Sequence, residues 1–258
     1  MHKKFFYSEN LRLSYTDTAT DLPVLISLHG HFGRGSTFHP LQQALQDQWR
    51  VICLDQRGHG YSDHAESYTR ADYLNDLHQF ILHLGLDQVV LLGHSLGGVN
   101  AYQYAARHPE RVQALVIVDV GAEIDVPTDH ALDWPRRFPT LEALRAFLRE
   151  QKTSEKYFGE SVMEDESGWG FRFKADHLSR SQQHVLGNWW SDWLATSCPT
   201  LLIQGHKSWV LSTDQAREMA RKRPFTTLVE FPECGHGVYQ EDPEGFNGVV
   251  REFLQGLL

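Results

Sequence analysis

The stretch that most constrains the fold is Val89-Val90-Leu91-Leu92-Gly93-His94-Ser95-Leu96-Gly97-Gly98. An apolar run of strand type ends at Gly93, and a segment of helical character follows over residues 95–107. Ser95 therefore falls on the turn between them, in a G-x-S-x-G pattern with the strand-turn-helix context that this pattern requires. The turn is so tight that side chains two residues before and after the serine would collide with neighbouring backbone, which calls for glycine at 93 and 97. Strain at such a turn holds the serine hydroxyl out into a cleft. A chain built around it needs a sheet in front and helices behind.

The remaining sequence supplies both. Residues 3–7 and 11–16 read as two strands joined at Glu9-Asn10, an antiparallel start. Apolar runs at 24–28, 51–54, 112–118, 199–203 and 226–231 have the near-continuous character of strands covered on both faces. Helical spacing is clearest in Tyr73, Leu74, Leu77, Phe80, Ile81 and Leu84, with Thr69 as N-cap and Gly85 as stop. Further helices are expected at 40–46, at 213–222, and from Asp242-Pro243 onward with proline at its first position. Strand alternating with helix implies a mostly parallel sheet with helices on both faces. Its ligands gather at the carboxyl ends of the strands.

Residues 122–194 break the alternation. They show no clear strand, one short amphipathic helix on Leu141, Leu144, Phe147 and Leu148, and many aromatics, among them Trp134, Tyr157, Phe158, Phe171 and Trp193. The expected division is a core of residues 1–121 and 195–258, with 122–194 as a helical cap inserted after the sixth strand. A few of its aromatics would make the entrance apolar.

At 258 residues the chain is long enough for one large α/β domain with an insertion. A formal charge of -9 argues against nucleic acid or an anionic membrane surface as partner. The densest basic run, Arg221-Lys222-Arg223, reads as a solvated helix end before Pro224. Cys53, Cys198 and Cys234 are widely spaced and odd in number, which argues against structural disulfides and fits a reducing compartment. No signal peptide or 18-residue apolar stretch is evident, so the expectation is a cytoplasmic protein.

Serine needs a base to take its proton. Of fifteen histidines, His236 is the best placed, between glycines directly after the last strand. His29, His31, His59 and His94 fall on segments better explained as loop architecture. The glycine-rich His29-Gly30-His31-Phe32-Gly33-Arg34-Gly35 after the third strand exposes backbone that can approach a ligand. The polar loop 55–62 reads as a brace for the site floor. No metal-ligand motif, phosphate loop or dinucleotide fingerprint occurs, so no metal or cofactor is expected.

His29-Gly30, Asp55-Gln56-Arg57-Gly58-His59-Gly60-Tyr61-Ser62, Gly93-His94-Ser95-Leu96-Gly97-Gly98 and Gly235-His236 together resemble the α/β-hydrolase superfamily over nearly the whole chain. The resemblance implies a Ser-His-acid triad. The usual acid stands in a G-x-x-D pattern after the penultimate strand, but Gly205-His206-Lys207-Ser208 puts serine there. Asp214 falls several residues later, inside a helix. The arrangement resembles a subset of small esterases and thioesterases whose acid has moved to the end of the strand after the elbow. By that resemblance Asp119 is the acid and Ser208 an auxiliary hydrogen-bonding group, with Glu123 and Asp125 as the competing acids. It also assigns the oxyanion hole to the N–H groups of His31 and Leu96. Phe32, Trp209 and Val238 are the candidate pocket residues.

The expected activity is hydrolysis of a small-molecule ester or thioester with a small to medium acyl group. Lactonase, carbon-carbon bond hydrolase and cofactor-free haloperoxidase share the same residue set. Epoxide hydrolase and haloalkane dehalogenase resemble the fold but use aspartate where Ser95 stands. The rival from another class is a hydrolase-fold sensor of a small molecule, separable by its lack of sustained turnover.

Overall fold

The protein is described as a computed structural model covering residues 2–126, 131–151 and 153–258. Eight strands form one sheet: β1 (Lys4–Ser8), β2 (Leu11–Asp17), β3 (Val24–Leu28), β4 (Arg50–Leu54), β5 (Val89–His94), β6 (Val112–Val118), β11 (Thr200–Gly205) and β12 (Thr226–Phe231). Their order is β1-β2-β4-β3-β5-β6-β11-β12. β1 pairs antiparallel with β2 and β2 with β4, and every other neighbour is parallel. After β3 the chain goes one way to β4, then crosses to β5 on the other side. The carboxyl ends of β3 and β5 therefore flank the switch point, where a doubly wound sheet opens a crevice.

The strands are apolar throughout because both faces are covered. Alternate residues point to opposite sides: Leu91 faces one core cluster, and its neighbours Val90 and Leu92 face the other. The first cluster takes in α2 (Arg70–His83) and α3 (Leu96–Arg107). The second takes in α1 (His39–Leu45) and α10 (Pro243–Gln255). The expected caps are present. Thr69 accepts from the Asp72 amide, and Asp242 accepts from the Gly245 amide ahead of Pro243 at the first turn of α10.

Residues 122–194 depart from expectation in carrying strands. β8 (Val162–Asp165) and β9 (Gly168–Phe171) form a hairpin, and β7 (Glu123–Ile124) pairs with β10 (Gly187–Asn188). The hairpin is too short to show a period of two in sequence, and its turn depends on Gly168 at φ +106°. The same stretch holds α4 (Leu141–Glu150), α5 (Glu155–Gly159), α6 (Ala175–Val185) and α7 (Trp190–Leu194). Phe138, Leu144, Phe158, Phe171 and Leu178 close a third cluster, which also takes in Phe32. Trp193 instead packs with the sheet core, its ring 5.9 Å from Tyr102.

Arg223 overturns the reading of a solvated basic run. It follows α8 (Thr213–Lys222) and is 1% exposed. Its guanidinium donates to the carbonyls of Trp193 and Cys198 and to the hydroxyls of Thr196, Thr200 and Thr226. A guanidinium offers five N–H donors in a fixed fork, so several chain segments meeting at one point can satisfy it. The three cysteines are free. Among the described residues no helix is long and apolar enough to cross a membrane.

Candidate active site

Ser95 links β5 to α3 at φ 52°, ψ -119°. A non-glycine residue held there costs about 1–3 kcal/mol, and the packing around it shows why the turn persists. A Cβ on Gly93 would lie 2.2 Å from the Gly97 carbonyl oxygen, and one on Gly97 would lie 2.2 Å from that of Leu28. The glycines thus let the elbow press against β3, while the Ser95 amide donates to Val118 of β6 at 3.1 Å. Ser95 precedes α3, so the positive end of that helix dipole lies at its hydroxyl.

Asp119 follows β6 in the left-handed region at φ 50°, a conformation that aspartate tolerates better than most residues. Its carboxylate is fully buried and accepts from three groups: the His236 ring at Nδ1 (2.7 Å), the Gly205 amide (3.0 Å) and the Ser208 hydroxyl. The Nδ1–H donation fixes the tautomer, leaving His236 Nε2 as the basic nitrogen. β11 and the loop after β12 come close enough for this because residue 205 is glycine: a Cβ there would sit 2.2 Å from the Gly235 carbonyl oxygen. Ser208 Oγ also accepts from the Val210 amide at 3.1 Å, which orients its O–H toward Asp119. Glu123 and Asp125 are exposed.

Ser95 and His236 line one cavity of about 460 Å³ together with Leu96, His31, Phe32 and Trp209. Val120, Ile124, Val126, Val185, Tyr157 and Phe158 supply most of its apolar wall. Trp209 is largely exposed, its ring 5.9 Å from His236. Val238 is not part of the cavity. It is fully buried among Phe231, Cys234 and Phe246, because its short helix, α9 (Val238–Glu241), turns that side chain inward to the core. Among the described residues no cluster of histidine, cysteine, aspartate or glutamate could hold a metal ion.

The Leu96 amide opens α3 and has no acceptor within its helix. Among the described residues neither it nor the His31 amide donates to another protein group. Burial pushes the histidines nearby below the ordinary imidazole range. His94 is pushed well below the ordinary imidazole range by burial, then by His236, and its Nε2–H donates to the His236 carbonyl at 2.9 Å. Burial likewise holds His29 at about 4. His29 Nε2 accepts from the Gln56 amide at 3.0 Å, and the Gln56 side chain donates to the His29 carbonyl at 2.6 Å. Asp55 accepts from the Gly35 and Tyr61 amides, so loop 55–62 braces the loop after β3.

Three hydroxyls on this site carried no sequence signal: Tyr157, Ser161 and Ser181. Their bonds to residues 31 and 32 span more than a hundred positions.

The fold defines a doubly wound α/β protein with a strained serine at its switch point. A family model described as the alpha/beta hydrolase fold matches residues 23–243, and the chain belongs to that family. It is 30% identical over 272 residues to the 2-hydroxy-6-oxononadienedioate/2-hydroxy-6-oxononatrienedioate hydrolase of Burkholderia vietnamiensis, covering 95% of this chain and 91% of that protein. It is 28% identical over 267 residues to the sn-1-specific diacylglycerol lipase ABHD11 of Danio rerio, covering 95% and 83%. A crystal structure of E-2-(acetamidomethylene)succinate hydrolase superposes with a TM-score of 0.88 at 23% identity, covering 98% of this chain and 99% of that one, and attests the fold.

Proposed function

We propose that the protein is a serine hydrolase that cleaves carboxylic esters or thioesters of small to medium acyl groups through an acyl-enzyme. The observation that carries this reading is the 2.7 Å bond between buried Asp119 and His236, in a cavity that His236 shares with strained Ser95. His236 Nε2 takes the Ser95 proton as Oγ attacks the acyl carbon, then delivers it to the leaving alcohol or thiol. Water, activated by the same nitrogen, releases the acid and restores Ser95. The Asp119 carboxylate holds the tautomer and stabilises the imidazolium that forms. The amides of His31 and Leu96 receive the developing oxyanion. Residues 122–194 act as a cap, and their apolar contribution to the wall favours an aliphatic or aromatic acyl group.

The two relatives named above at 28% and 30% identity are a lipase and a hydrolase by their names, which agrees with a hydrolytic reaction. The test is steady-state hydrolysis of a chain-length series of p-nitrophenyl esters and acyl-CoA thioesters, with Ser95→Ala as control. Sustained turnover that vanishes in the variant is expected. Turnover equal in both proteins on every substrate would overturn the reading.

A further inference from the structure

The loop that follows β3 is held by the core at His29 and at Gly35, and by a different part of the molecule between them. At His29 the core does the holding, through the amide and side chain of Gln56. At His31 and Phe32 the work passes to the stretch between β6 and β11. The Tyr157 hydroxyl, from α5, donates to the His31 carbonyl at 3.0 Å. The Ser161 hydroxyl, just beyond α5, donates to the Phe32 carbonyl. Ser181, from α6, bonds His31 Nε2 at 2.8 Å, and its hydroxyl is also 2.9 Å from that of Tyr73 on α2. The Phe32 ring seats against the same stretch, 4.9 Å from Phe158 and 5.1 Å from Phe173.

These contacts fall on a strained backbone, whose residues 30–33 also close a turn through the Gly33 amide and the Gly30 carbonyl at 3.2 Å. Phe32 stands at φ 66°, in the left-handed region that a bulky residue avoids. A residue kept there needs surroundings that over-determine it, and the two carbonyl anchors fall on residues 31 and 32 themselves. Burial pushes the Tyr157 phenol up from its ordinary range, so it remains a donor at neutral pH. Ser161 is 1% and Ser181 0% exposed, so water does not compete for their bonds.

Resting on the serine-hydrolase reading, we infer that Tyr157, Ser161 and Ser181 are positioning residues that set the His31 amide as an oxyanion donor. Seating of α5, Ser161 and α6 on the core thereby completes the catalytic site. The role differs from pocket lining. A lining group acts on substrate and intermediate alike, whereas a group that aims an oxyanion donor acts where negative charge develops.

The experiment compares wild type with Tyr157→Phe, Ser161→Ala, Ser181→Ala and the Tyr157→Phe/Ser161→Ala pair. Each is assayed for kcat and KM on a p-nitrophenyl ester. Each is also titrated with a boronic acid, whose tetrahedral serine adduct places an oxygen in the oxyanion hole, and with the product carboxylate. Tyr157→Phe keeps the ring in the cavity wall. The expected result is a kcat lower by about tenfold or more in the pair, with boronate affinity weakened in proportion and KM and carboxylate affinity within about threefold of wild type. Ser161→Thr, which keeps a hydroxyl, is expected to lose much less kcat than Ser161→Ala.

Unchanged kcat in a folded pair, or a loss confined to KM, would overturn the inference and leave the serine-hydrolase reading standing. Wild-type turnover no greater than that of Ser95→Ala would overturn both.

Discussion

Replacing Asp119 with asparagine keeps the shape of the side chain and removes its charge. The carboxylate accepts from His236, Ser208 and Gly205, and no placement of an amide satisfies all three. With its oxygen toward His236 and Ser208, the amide presents N–H to the Gly205 amide. Flipped, it presents N–H to His236 Nδ1, which moves the ring proton to Nε2 and removes the base. The charge matters separately, because the imidazole becomes imidazolium in the transition state. Two charges about 4 Å apart at an effective dielectric of about 20 interact by about 4 kcal/mol, which is about a thousandfold in rate. Adding the tautomer error, Asp119→Asn is expected to lower kcat by about 10³- to 10⁴-fold with a smaller change in KM. Steady-state kinetics on the best ester, with thermal unfolding to show that the variant is folded, measures this. A kcat within tenfold of wild type would refute the argument and turn attention to exposed Glu123 and Asp125.

Ser208→Ala removes one of three donors to the carboxylate and leaves the His236 bond intact, so kcat should fall by about tenfold or less; a loss as large as that of Asp119→Asn would make Ser208 more than auxiliary. Acid stability follows from the buried histidines. His29, His31, His59 and His94 all have pKa values depressed chiefly by burial, His29 to about 4. The unfolded chain therefore takes up protons near pH 6.5 that the folded chain refuses. Their contribution is fully present above that pH and is lost as pH falls toward 4, at up to about 1.4 kcal/mol per imidazole per pH unit. Urea unfolding between pH 7.5 and 4.5 should show midpoints falling steeply below pH 6.5; a flat profile to pH 5 would contradict the burial argument.

Much of the architecture was legible because its causes are local. The elbow is written in glycines whose Cβ atoms would strike backbone, and the helix limits in Thr69, Gly85 and Asp242-Pro243. The meeting of Asp119, Ser208 and His236 was legible only by resemblance, since 117 positions separate acid from base. What stayed hidden depends on chain segments converging in space. Arg223 reads as surface charge until the carbonyls and hydroxyls around it are assembled. Val238 lies two residues from His236, yet the intervening turn sends it to the core. The hydroxyls of Tyr157, Ser161 and Ser181 sit in a stretch with no motif. Their bonds depend entirely on what folds back onto them.

The most direct test of the account is intact-protein mass spectrometry after mixing the enzyme with excess of its best ester and quenching in acid within the first turnovers. A mass increase equal to one acyl group is expected, mapped to the peptide containing Ser95 and absent from Ser95→Ala. Turnover that leaves no acyl adduct on a sub-turnover timescale, while Ser95→Ala retains activity, would contradict it.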